Sequence, residues 1–220
     1  MSLPSIHAAL KERHRAIRDD MPEGLSVRIH RALSWLQRAA QCADDPDARF
    51  IFLWIAFNAA YAQDIPTGYQ SSQKDSFDGF LQKLHQLDET QRLDDMVWHT
   101  FSGPIRVLLD NPYVFASFWR FQRGDLDEAA WQKHFAKGKQ QAAQLLAQGQ
   151  TPQLLSLVLR RIYILRNQLM HGGATWNGKI NRAQVQDCAN IMGQLVPVVL
   201  EIMMSHPEAL WGEACYPVVA

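Results

Sequence analysis

The chain has 220 residues, 47% of them hydrophobic and 20% charged, with 22 Lys and Arg set against 22 Asp and Glu for a formal net charge of zero. This is the balance of an ordinary soluble globular protein, and zero net charge by itself argues against a general nucleic-acid binder. No segment reads as an uninterrupted membrane span, and the early charges of MSLPSIHAALKERHRAIRDD leave no room for the apolar stretch of a secretory signal.

Helical periodicity governs the rest of the chain. From Leu25 to Cys42, Val27, Ile29, Leu33 and Leu36 recur at helical spacing with charges between them. Asp45-Pro46 opens a second helix, because proline is tolerated in a first turn. In its body, RFIFLWIAFNAAYAQ, the residues Phe50, Trp54, Phe57 and Tyr61 line one face while Ile51, Ile55 and Asn58 line the next. A helix this apolar belongs in a core, and Asn58 is expected there as a satisfied amide rather than as a partner to a functional site. His14, between Arg13 and Arg15, reads as part of a solvated face.

Residues 65–76, IPTGYQSSQKDS, form the most loop-like stretch. Helices are predicted from about Phe77 to Leu87 and from about Glu89 to Phe101, with Gly103-Pro104 and Asn111-Pro112 as punctuation. A short aromatic helix follows from Tyr113 to Arg123, ended by Gly124-Asp125, and then a polar helix from Leu126 to Gln148. Thr151-Pro152 is expected to cap a helix running to His171. A last helix spans about Asn181 to Ser205, with Pro197 as a kink or break. No alternating strand pattern, internal repeat, glycine-rich phosphate loop or serine-nucleophile elbow occurs. Cys42, Cys188 and Cys215 are spaced for neither a zinc site nor a disulfide framework, which favours a reducing cytoplasm. The expected fold is all-α, an irregular helical bundle.

Charge is distributed unevenly. From Ala129 to Gln186 there is no Asp or Glu, while Lys133, Lys137, Lys139, Arg160, Arg161, Arg166, Lys179 and Arg182 contribute eight positive charges. Such a basic middle segment is an electrostatic footprint for polyanions. Within it, the apolar run LLSLVLRRIYIL passes into RNQLMHGGATWNGKI, a cluster of polar groups closed by Gly172-Gly173, which should terminate the helix. On an ideal helix Arg166 and His171 lie about 7.5 Å apart along the axis and about 140° around it. That offset, and the lack of nearby Asp, Glu or Cys, disfavours a metal pair. Trp176, just beyond the glycines, either stacks on a base or packs back on its own domain, the second being the commoner fate of a turn tryptophan.

A helix ending in Arg166-Asn167-x3-His171-Gly172 resembles the HEPN domain family, helical nucleic-acid-associated domains whose active members carry Arg-x4-6-His with a polar residue directly after the arginine. FIFLWIAFNAAY, Phe50 to Tyr61, is similar to the aromatic core helix of the Apea-like HEPN subgroup. The order of helical insert, motif helix, polar turn and long final helix is also similar. The resemblance covers roughly residues 25–205 and implies one HEPN-type domain with its core at about 25–64 and 150–205 and a helical insert at about 65–149.

The resemblance implies a metal-independent endoribonuclease, of a kind found as toxins or antiviral defence components, that needs no cofactor. Arg166, Asn167 and His171 would be its catalytic residues. Arg160, Arg161, Lys179, Arg182 and Trp176 would contact RNA. The implied partners are RNA, a second copy of the chain forming a composite site across a dyad, and an antitoxin, with no membrane. The rival readings are a catalytically inactive HEPN-type module that binds RNA or dimerises, and a helical scaffold.

Overall fold

Ten α-helices and no β-strand account for the regular structure of the described residues, so the all-α class expected from the sequence is the class adopted. The computed structural model describes residues 1–62, 73–212 and 214. The loop expected at 65–76 therefore lies outside them as far as residue 72, and residues 73–76 already belong to a helix. The helices are α1 (Leu3–Ile17), α2 (Glu23–Ala40), α3 (Pro46–Tyr61), α4 (Gln73–Leu87), α5 (Arg92–Asp95), α6 (Ser102–Leu109), α7 (Ala116–Gln122), α8 (Glu128–Gln148), α9 (Thr151–Met170) and α10 (Arg182–Ser205). They divide between two compact units. The first comprises Met1–Ser72, Gln86–Thr90 and Gln186–Ala220, the second Gln73–His85 and Gln91–Val185.

In the first unit α2 packs along α3, and α1 packs on α2. The start of α3 follows from its cap: the Asp45 carboxylate accepts from the Ala48 backbone N–H at 3.1 Å, with Pro46 in the first turn. Phe50, Trp54 and Phe57 are buried as their spacing requires. Asn58 is not a satisfied core amide. It is half-buried beside a cavity of about 420 Å³, where Arg28 and Arg31 also project.

α1 was not legible as an element because its inward stripe is His7, Leu10 and His14, two of three positions being histidine. His14 is accordingly no solvated residue. It is buried, and its Nε2 lies 3.2 Å from Ser26 Oγ. Burial holds the pKa of both histidines below the ordinary value. Lys11 adds to the effect at His7, and His30 and Arg18 add to it at His14. The folded protein thus binds fewer protons than the unfolded chain. The stability these groups contribute is present above about pH 6.5 and is lost as pH falls through their depressed folded values. We expect the melting temperature to drop on acidification below about pH 6.5, and the drop to be shallower in the His7→Gln/His14→Gln double variant. Thermal melts across that range check it; identical pH slopes would refute it.

α10 continues through Pro197 without a break. Proline there removes one backbone hydrogen bond and strains the preceding turn, at about 3 kcal/mol. Leu195, Val196, Val199 and Leu200 are all but fully buried around it, and each such side chain stabilises by about 1.5–3 kcal/mol. Packing therefore outweighs the local penalty. α10 is also long and apolar enough to cross a membrane by length and composition, which corrects the expectation that no segment reads as a span. Of that stretch 78% is buried inside this protein, as in a core helix.

In the second unit α9 is the most buried helix, with Leu154, Leu155, Val158, Leu159, Ile162 and Leu165 inaccessible. α6, α8 and the 3-10 turn Pro112–Val114 pack on it. Two local expectations change here. The helix predicted from Glu89 starts only at Arg92, because Gln91 takes a left-handed φ of 54°, and it passes into a π-helical turn at Met96–Thr100. Gly103-Pro104 does not interrupt the chain but sits in the first turn of α6, where a missing N–H costs nothing. Thr151 is likewise no N-cap. It is buried, and its hydroxyl accepts from Trp98 Nε1 at 2.7 Å while donating to Asp94 Oδ1. Asp94 Oδ2 in turn lies 3.0 Å from His85 Nε2. This chain of polar contacts ties α9 to α5 and α4.

Candidate functional site

The apolar stripe of α9 runs out at Leu165, and the last turn carries Arg166, Asn167 and Gln168. Arg166 and Asn167 are both half-buried, and Arg166 Nη1 donates to Asn167 Oδ1 at 3.0 Å. The guanidinium carbon stands 6.0 Å from the Tyr163 ring centroid, and its buried Nε has no hydrogen-bond partner among the described residues. Asn167 therefore holds the guanidinium, instead of facing solvent. Gln168 anchors the turn from its other side: its Nε2 donates to the Tyr113 carbonyl at 2.6 Å, which also accepts from Trp119 Nε1 at 2.6 Å.

The helix ends as the glycine pair requires. Gly172 adopts φ 70°, where a side chain would be strained. The Gly173 N–H bonds to the Gln168 carbonyl at 2.7 Å and the Gly172 N–H to the Leu169 carbonyl at 3.3 Å. This is the paired 6→1 and 5→2 closure of a Schellman cap. It leaves His171 as the first residue past the last helical turn, with φ −101° and an exposed imidazole. Among the described residues that imidazole makes no hydrogen bond or ion pair. Arg166 and Asn167 are thus brought together, while His171 is presented to solvent one turn on.

Comparison with protein-family models, curated proteins and solved structures returns no match to this chain.

The other sequence-predicted contacts are dispersed around this helix end. Lys179 is exposed; Arg182 opens α10 and its Nη1 reaches Asn177 Oδ1 at 3.5 Å. Trp176 is 74% exposed, and Ile180 is 80% exposed. The turn carrying them is fastened at its far end, where Asn111 Nδ2 donates to Asn181 Oδ1 at 3.4 Å. Arg160 is half-buried, and Arg161 is only 6% exposed, with its guanidinium carbon 4.2 Å from the Phe115 ring centroid. The sequence carried a signal for that burial. Leu154, Val158, Arg161 and Leu165 are spaced i, i+4, i+7 and i+11, so Arg161 occupies the buried stripe of α9. Among the described residues no three His, Cys, Asp or Glu side chains converge in a group fit to hold a metal ion.

Proposed function

We propose that this protein is a metal-independent endoribonuclease of the HEPN type, cleaving RNA by attack of the 2′-hydroxyl on the adjacent phosphorus. The observation that carries this reading is the end of α9: a guanidinium held by its neighbouring amide, and one turn later an exposed imidazole with no competing partner. Both lie in a segment without a single carboxylate, which favours approach of a phosphodiester backbone.

The roles follow from side-chain chemistry. His171 transfers the proton, taking it from the 2′-hydroxyl or giving it to the leaving 5′-oxygen, because an imidazole changes charge near neutral pH. Arg166 presents two parallel N–H groups to the phosphorane oxygens, whose negative charge grows in the transition state. Asn167 fixes the plane of that fork. The products are a 2′,3′-cyclic phosphate and a 5′-hydroxyl, and DNA is not cut because it lacks the nucleophile.

One chain aims Arg166 and His171 in different directions, so the reading includes a two-fold dimer that pools two α9 ends in one cleft. The exposed Trp176 and Ile180 beside the motif support an apolar contact there. We expect a dimer at micromolar concentration by light scattering coupled to size exclusion, and cleavage of a mixed RNA pool in the presence of EDTA. A strict monomer, with or without RNA, removes the composite site. Full activity that depends on added divalent metal removes the mechanism. A nucleotidyltransferase-like antitoxin is the kind of partner that would silence such an enzyme.

A further inference from the structure

We infer that a cavity of about 420 Å³ in the second unit, formed by α7, α8 and α9 with Phe115, is a binding site for a phosphate monoester. The inference does not rest on the ribonuclease reading, since it concerns a cavity upstream of the Arg166–His171 end of α9. On α8 the lining residues His134, Lys137, Gly138 and Gln141 recur at i, i+3, i+4 and i+7, so they form one stripe of that helix. On α9 they face Leu157, Arg160 and Arg161, at i, i+3 and i+4. Ser117 adds a hydroxyl from α7. The polar groups are cations and neutral hydrogen-bonding groups, and no carboxylate lines the cavity.

Arg161 is the decisive residue. It is only 6% exposed, yet among the described residues it has no hydrogen-bond acceptor and no carboxylate. Its one compensating contact is the Phe115 ring. A buried, unpaired charge is costly, and Arg160 beside it adds repulsion. Burial, and secondarily Arg160, lower the Arg161 pKa to about 10, so the guanidinium is still charged at neutral pH. An arginine kept cationic in such a place is completed by an anion that enters through the cavity.

Gly138 shows that the backbone is shaped to this arrangement. A Cβ there would stand 2.9 Å from Phe115 Cε2 and 3.3 Å from Arg161 Nη2. Glycine is a poor helix former, and in the middle of α8 it lets the helix close onto the stacked pair. The anion is a phosphate ester, because planar guanidinium and dispersed N–H and O–H donors suit a tetrahedral multi-oxygen acceptor. The cavity has the volume of a small-molecule site, leaving space for the esterified group beyond the phosphate.

Calorimetric titration of the full chain with inorganic phosphate, AMP, and short RNAs bearing either a 5′-phosphate or a 5′-hydroxyl tests this at fixed ionic strength. We expect saturable binding of the monoesters, no comparable binding of the 5′-hydroxyl RNA, and at least tenfold weaker binding by Arg161→Gln. Lys133→Gln, an exposed change on α8 outside the cavity, should bind as wild type. Stronger binding of AMP assigns the site to small esters, and stronger binding of the phosphorylated RNA assigns it to RNA ends; both sustain the proposal. Absence of binding at millimolar ligand, or equal affinity of wild type and Arg161→Gln, overturns it. Should Arg161→Gln fail to fold, the Lys137→Gln/Arg160→Gln double variant decides the matter by the same tenfold criterion. Phosphate should also raise the melting temperature of the wild type and not that of the Arg161 variant.

Discussion

On the proposed mechanism, His171→Ala and Arg166→Ala each lower RNA cleavage by about two orders of magnitude or more, the usual loss when a general acid–base group or a transition-state anion donor is removed. Neither variant should unfold. His171 is exposed and contributes no side-chain hydrogen bond among the described residues, and its backbone role in the Schellman cap survives truncation. Arg166→Ala loses one hydrogen bond, to Asn167, and the distant Tyr163 ring contact, for about 1 kcal/mol or a melting shift of roughly 2–4 °C in a chain of this size. Asn167→Ala should be milder in rate, because it loosens the guanidinium without deleting it. The assay follows a mixed RNA pool with EDTA present, alongside thermal melts of each variant. Equal cleavage by wild type and the two alanine variants would point to a contaminating nuclease and sink the assignment. Collapse of the fold in both would make the cluster structural.

The largest stability effect is expected from Arg28→Met. Arg28 is 1% exposed in the second turn of α2, and its guanidinium donates to the Ala60 and Trp211 carbonyls, to Gly212 O at 3.0 Å and to Tyr61 O at 3.3 Å. Two of these acceptors terminate α3, whose last carbonyls have no partner within the helix, and a cation there also suits the helix dipole. The other two belong to the segment after α10. Methionine fills much of the volume but leaves the buried carbonyls without donors, at about 3 kcal/mol or more. That corresponds to roughly 6–12 °C in melting temperature. Arg28→Lys keeps the charge and loses the fork, so it should recover only part of the loss. Urea unfolding read by tryptophan fluorescence and by circular dichroism checks the magnitude. A loss below about 1 kcal/mol would show that water replaces the guanidinium.

What is legible in the sequence is whatever local chemistry settles. The Asp45-Pro46 cap, the apolar face of α3 and the glycine stop after α9 each depend on residues within a turn or two of one another. So the all-α class and most helix limits were legible from spacing. Failures occurred where burial contradicts residue type. α1 turns two histidines inward, so its stripe did not register as hydrophobic. Thr151 resembles a cap until Trp98 and Asp94, more than fifty positions away, claim its hydroxyl.

The candidate site divides in the same way. That Arg166, Asn167 and His171 close a helix within an acid-free segment is legible in the sequence, because composition and the i to i+4 geometry of a helix are local properties. The tertiary structure sets Asn167 against the arginine, leaves the His171 and Trp176 side chains largely exposed, and lays Arg161 unpaired against Phe115. It also decided that α10 passes through Pro197, since the burial that outweighs the lost hydrogen bond comes from packing in three dimensions. The physical reason is common to all of these: helix propensity and capping are summed over neighbours in sequence, whereas desolvation, and the partner that compensates for it, depend on neighbours in space.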